Sequence, residues 1–318
     1  MGAVIEVVFP VFALIAIGYA LGRSPLLAGE AGIKSLTNFV FYAAIPALLF
    51  RMFGRGLPEG GIEWSIVLAY FAGALCMFVL TMAVSRFVFR NPGVEHGLAA
   101  MSATFANTVM MGIPLIYTAF GEEGLIPLLM IVTFHPMVLI PLATIVTETL
   151  RGADAAGDRQ SIPSILLKSL NSLIRHPVIV GMAVGIAFGF TGWNLPAPVD
   201  KLIDMLASAA TPAALCALGA SLTRFSIAGD LKETSSLVVL KLLVMPALVW
   251  FFAAHVFEND PLYVMVATIN AAMPAGINAF LLAQFYNTYT QRSASTVLIS
   301  TALSVFTISA LFAWFGAA

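Results

Sequence analysis

Asn107 lies in an apolar run, Ala103-Thr104-Phe105-Ala106-Asn107-Thr108-Val109-Met110-Met111-Gly112-Ile113-Pro114, that is long enough to cross a bilayer. The run carries an amide, a Gly and a Pro where an unbroken helix should be. A primary amide offers two donors and an acceptor without burial of a charge, so Asn107, with Thr108 beside it, suits a carboxylate or the oxygen shell of a cation. A helix-helix hydrogen bond is the other use of an intramembrane Asn. A second interrupted stretch runs from Ala267 to Asn278; it begins with the same Ala-Thr pair and reaches Gly276 nine positions on, with Pro274, Ile277 and Asn278 around it. Each break leaves N–H and C=O groups without intrahelical partners, which lipid cannot satisfy, so both must face protein or a water-filled cavity. Gly112, Pro114, Pro274 and Gly276 are read as setting the break geometry, and the half-helix N-termini they create favour an anion. Simple kinks are the alternative reading of these four residues.

Two titratable residues stand deep in apolar runs. His135, before Pro136, is expected to contact the ligand or to link protons to it, so that affinity for an anion would rise as pH falls; a bundle histidine bonded to its neighbours is the alternative. Lys241 must bind a carbonyl, snorkel or pair with a carboxylate, and is read as a structural or coupling group. His176, His255, Asp204 and Glu148 fall near span ends, where solvation accounts for them. Cys76 and Cys216 have no CxxC context and read as small buried hydrophobes, so no metal is expected. There is no GxxxxGK phosphate loop and no HExxH, and the spans have too few polar positions to line a continuous pore. A nucleotide hydrolase, an intramembrane hydrolase and a channel are thereby disfavoured, and the chain is not expected to be an enzyme.

The elements that must position these residues are membrane helices. With 60% hydrophobic and 10% charged residues, and a mean hydropathy of +0.97, the chain cannot present a polar surface in all directions. Its near-neutral balance, 15 basic against 16 acidic residues, gives no face for nucleic acid. Apolar runs place ten spans near 4-22, 35-53, 63-88, 95-119, 124-148, 176-192, 200-222, 234-256, 262-286 and 292-315. No basic segment precedes the first, which is read as a retained span. A polar linker with a short amphipathic piece, 151-175, separates a first five-helix repeat, 1-150, from a second, 176-318. Pro10 answers Pro177, Pro46 answers Pro212 and Gly112 answers Gly276 across that divide. Five is odd, so the second repeat is inverted. Eleven Lys and Arg fall in the loops after odd-numbered spans and three on the other side, which makes the first side cytoplasmic and puts both termini outside.

At these residues the chain resembles the auxin efflux carrier family, which includes plant auxin carriers and bacterial transporters for malonate, malate and related acids. The segment from Asn107 to Leu115 is similar to the family's signature at its first crossover, and Pro274-Ala275-Gly276-Ile277, continuing into Phe280, Ala283, Tyr286 and Asn287, is similar to the second. The resemblance spans essentially the whole chain. It implies an all-α integral membrane fold of ten helices in a 5+5 inverted repeat, with helices 4 and 9 broken and crossed, as in bile-acid-type transporters. It further implies a scaffold domain of spans 1, 2, 6 and 7 that commonly dimerises, and a transport domain of spans 3-5 and 8-10 that moves like an elevator. Asn107 looks like the family's substrate-binding asparagine, and His135 falls where auxin carriers have a polar site residue. Plant carriers typically have a Pro near Asn278 and a long central loop, so auxin specificity does not carry over.

The expected protein is therefore a secondary carrier or uniporter for a small organic anion, a mono- or dicarboxylate, multi-pass in a bacterial inner membrane and homodimeric through its scaffold. No cofactor is expected, and neither protons nor sodium is assigned as coupling ion. A ligand-binding membrane sensor without transport is the alternative from another class. A sodium- or proton-coupled cation exchanger is the third reading, and it calls for acidic residues beside the breaks, where none lies.

Overall fold

A computed structural model of the chain describes residues 2–27, 29–54, 63–151 and 161–316. The 55–62 loop and the first part of the linker, 152–160, lie outside the described residues. The architecture is all-helical: α1 (Gly2–Arg23), α2 (Glu30–Phe39), α3 (Ile45–Gly54), α4 (Trp64–Ala83), α5 (Gly93–Thr104), α6 (Ile113–Leu150), α7 (Ile162–Ile174), α8 (Pro177–Gly189), α9 (Ala197–Leu222), α10 (Leu231–Val239), α11 (Met245–Phe251), α12 (Pro261–Ala271), α13 (Ile277–Phe285) and α14 (Thr290–Phe315). Wide π-helical turns at Val40–Ala44 and Leu240–Val244 join α2 to α3 and α10 to α11 without a break in direction.

Among the described residues, seven helices are long and apolar enough to cross a bilayer, where composition predicts ten spans. The difference has physical causes. Spans four and nine are each cut at the stretches singled out above, α8 is only 13 residues long, and one continuous 43-residue stretch, Thr108–Leu150, holds the second half of span four and all of span five. Gly121, at φ 63° and ψ −149°, turns the chain between those two parts, a conformation open to Gly because it has no Cβ.

Small residues let the helices approach closely, the usual way to gain packing where lipid gives no hydrophobic drive between helices. A Cβ on Gly219 of α9 would lie 1.9 Å from the Ile15 carbonyl oxygen of α1, and one on Gly181 of α8 would lie 2.7 Å from the Cα of Pro46 in α3. Two apolar cores result. One joins α1, α3, α9 and the start of α6; the other joins α4, α5, α11 and α12. Cys216 is partly buried as expected, whereas Cys76 is exposed on the outer face of α4.

The ends of α4 and α11 share one local design. Each runs into a π-turn, Val84–Val88 or Phe252–Val256. Each then closes with paired amides: Phe89 N to Val84 O and Asn91 N to Ser85 O in the first, Phe257 N to Phe252 O and Asn259 N to Ala253 O in the second. Arg90 and Glu258 hold the same positive-φ position, at 55° and 46°.

Candidate functional site

The two breaks meet. Asn107 N donates to Pro274 O at 2.9 Å and Gly276 N donates to Phe105 O at 2.8 Å, an isolated antiparallel bridge that pairs Ala106 with Ala275. Those four backbone groups would otherwise be orphaned in the protein interior, where an unmade hydrogen bond is costly. The remaining N–H of each central residue is taken by a side chain: His135 Nε2 lies 3.4 Å from Ala106 N, and Ser300 Oγ lies 3.0 Å from Ala275 N. Lys241, fully buried, donates from Nζ to Ala271 O at 2.7 Å and so satisfies a carbonyl at the C-terminal end of α12, the end that favours a cation. Gly276 must be Gly for steric reasons, since a Cβ there would lie 2.8 Å from the Phe105 ring and 3.1 Å from Ala106 O.

Beside the bridge is a cavity of about 270 Å³, of the size class that holds small ligands. Of the residues expected at the site, Asn107, Thr108, Gly276, Ile277 and Asn278 line it. Gly112, Pro114, Pro274 and His135 do not; they form the frame behind it. Pro114 lies buried in the first turn of α6, and Gly112 packs against Asn270, whose Oδ1 would be 3.2 Å from an added Cβ. His135 is fully buried and its ring lies 4.4 Å from that of Phe105, while Val132 and Pro136 of the same helix reach the cavity. Accepting through Nε2 requires a neutral ring with its proton on Nδ1.

Asn107 occupies the N-cap position of the Thr108–Gly112 turn but makes no side-chain cap bond. An Asn at this position ordinarily bonds back to the first-turn N–H groups. Here its Nδ2 is buried without a partner. The other half-helix, α13, is capped by Gly276, which has no side chain to offer. Two helix N-termini and the Asn107 residue thus border the same space, and no Asp, Glu, Lys or Arg lines it among the described residues.

Across the whole chain, the model of the membrane transport protein family matches residues 3–312. The chain belongs to that family, which includes the auxin efflux carriers. Among its relatives is a protein of Rhizobium meliloti named "Putative malonate transporter", 30% identical over 98% of this chain and 95% of the relative. Auxin efflux carrier component 8 of Arabidopsis thaliana is 22% identical, over 93% of this chain and 92% of its own length. A mouse "Lysosomal cholesterol signaling protein" is 28% identical over 74% of this chain but only 28% of that protein. The membrane transport protein family and these full-length relatives are named for transport and not for an enzymatic reaction.

Sequence reasoning missed several residues that the fold brings into play. Ser300 reads as an ordinary small helix residue, and its bond to Ala275 is invisible without the tertiary pairing. Thr37, Phe41 and His176 complete the cavity wall from α2, the turn after it and the cap of α8. Farther along, Arg292 of α14 donates to Glu233 at 2.6 Å, to Glu95 at 2.9 Å and to Asn91 Oδ1 at 3.0 Å, over the ring of Tyr289. Each of these charged residues sits near a span end, the position at which solvation alone explains a charge; their mutual burial is the property that the sequence conceals.

Proposed function

We propose that the protein is a secondary carrier for a small organic anion, a mono- or dicarboxylate, bound at the crossing of the two broken helices. The single observation that carries this reading is Asn107, whose Nδ2 is buried without a partner and whose side chain stands in the wall of a cavity bordered by two helix N-termini. Charge-assisted hydrogen bonds to such donors are the stronger kind, and the paired dipoles add to them without a buried formal charge. The name of the Rhizobium relative agrees with a carboxylate cargo.

In this reading the chain is a 5+5 inverted repeat. The shared design at the ends of α4 and α11, and the matched bonds of His135 and Ser300, support it. The scaffold comprises α1–α3, α8 and α9 and forms the homodimer; α4–α6 and α10–α14 carry the crossing past it as an elevator. Thr37, Phe41 and His176 lie toward the linker end of their helices, which the distribution of basic residues makes cytoplasmic, with both termini outside a bacterial inner membrane. At the other end Arg51 of α3 donates to the Tyr117 hydroxyl of α6 at 2.6 Å, a contact between scaffold and mobile part that favours a cytoplasm-facing cavity. The test is uptake of labelled malonate, malate, acetate and indole acetate into proteoliposomes, under imposed proton, sodium and voltage gradients. Accumulation of an acid above the protein-free control is expected; binding without uptake would favour the sensor instead.

A further inference from the structure

Among the described residues, His176 is the one side chain lining the cavity that can carry a charge. It occupies the N-cap of α8 yet makes no side-chain cap bond, and Pro177 after it has no N–H to offer. Its ring stands edge-on to Phe41, with centroids 6.2 Å apart at 87°, which fixes the imidazole plane without using a ring nitrogen. Most of the remaining wall is apolar: Phe41, Val132, Val178 and Leu281. Polar contacts are therefore confined to the crossing, with Asn107, Thr108 and Asn278, and to the wall that holds His176 and Thr37.

A monocarboxylate is fully served by the crossing alone. A ligand with a second acidic group must bury that group against the apolar wall or meet a second donor, because a carboxylate left unpaired in such a space is strongly disfavoured. We propose that His176 binds the second carboxylate of a short dicarboxylate whose first carboxylate is held by Asn107 and the first turn of α13. This rests on the carrier reading above and assigns the residue that tells two acidic groups from one. Its position has a further consequence. Asn107 belongs to the crossing, whereas α8 packs on α3; if the crossing travels, the His176 contact is made only while the cavity faces the side bordered by α7. Discrimination for the second carboxylate should then differ between the two faces of the membrane.

The experiment uses the full chain in detergent and measures malonate against monomethyl malonate, which has the same skeleton with one acid masked. In His176→Phe, malonate affinity should fall at least tenfold while the half-ester changes less than twofold, and His176→Gln, which keeps a donor, should lie between. Thermal melting checks that each variant is folded, and the comparison is drawn in whichever retains the wild-type midpoint. Unchanged malonate binding in a folded His176 variant, or equal loss for both ligands, overturns the proposal while leaving the role of Asn107 intact. Wild-type protein that binds neither malonate nor its half-ester overturns this proposal, while the carrier reading stands or falls on the uptake of the other acids. In inside-out and right-side-out vesicles, His176→Phe should raise the KM for malonate on one face only; an equal rise on both would remove the sidedness.

Discussion

His135 and Ser300, on α6 and α14, make the same kind of bond on either side of the crossing: each accepts from the backbone N–H of the central residue of one break, Ala106 for the first and Ala275 for the second. Neither lines the cavity. Their task is to keep two buried amides from being orphaned, and that task is separable from ligand binding.

Replacing His135 by Gln keeps an acceptor on a side chain of similar reach, whereas His135→Leu leaves Ala106 N–H unmet. The Leu variant should lose about 1–3 kcal/mol of stability, the cost of an unsatisfied buried donor, and Ser300→Ala should lose a comparable amount. Thermal or denaturant melting in detergent measures both. The pH profile of transport should survive in His135→Gln, since the ring holds backbone and does not face the ligand; loss of that profile would return His135 to a proton-linked role.

Asn107→Ala removes the unpartnered donor but none of the backbone bonds of the crossing. Melting should stay within a degree or two of wild type while carboxylate binding weakens at least tenfold, the equivalent of about 1.5–3 kcal/mol for a hydrogen bond to a charged group. Asn107→Asp should abolish anion binding altogether, because it places a like charge between the two N-termini. Equilibrium binding of labelled malonate distinguishes these outcomes from a purely structural Asn107, for which affinity would not move.

Glu233 is almost fully buried and accepts from Arg292, from Asn91 at 2.5 Å and from the Tyr289 hydroxyl at 2.5 Å. Removing one partner of a buried pair strands the other charge, so Arg292→Leu should cost about 3–5 kcal/mol. The double variant Arg292→Leu with Glu233→Leu should recover part of that loss. A double-mutant cycle read by melting gives the coupling, and additive losses would show that the pair contributes nothing as a pair.

Orientation is checked from loops on opposite faces. In a chain stripped of Cys76 and Cys216, single cysteines at Asn194 and Ser226 should differ in intact cells: Asn194→Cys labels with an impermeant maleimide and Ser226→Cys does not. The reverse pattern would place both termini in the cytoplasm.

The two interruptions are legible in the sequence because a bilayer makes few exceptions. Asn107, Gly112, Pro274 and Gly276 stand out in runs that are otherwise apolar, and each break implies backbone groups that something must satisfy. The register of the crossing was not legible. The shared Ala-Thr pairs match Gly112 with Gly276, yet the bridge joins Ala106 to Ala275, because it is the hydrogen-bonding edge of each break that pairs and not the similar letters before it. Lys241 reads as a group that must bind a carbonyl, snorkel or pair with a carboxylate, and the fold gives it the carbonyl of Ala271. His176 reads as a solvated residue because it falls near a span end; only the packing of α8 against α3 and the turn before it shows that the space beside it is shared with Asn107. The Arg292 cluster stayed hidden for the same reason, since its partners come from α5, α10 and α14, far apart along the chain.

The bridge that pairs Ala106 with Ala275 joins the two breaks through backbone atoms alone, those of Phe105 and Asn107 on one side and of Pro274 and Gly276 on the other. It therefore acts as a ruler whose length does not depend on any side chain: the spacing between the two N-termini is set by peptide geometry. For the carrier proposed above, a change of cargo then falls to what hangs from the walls, while the spacing of the two N-termini stays constant.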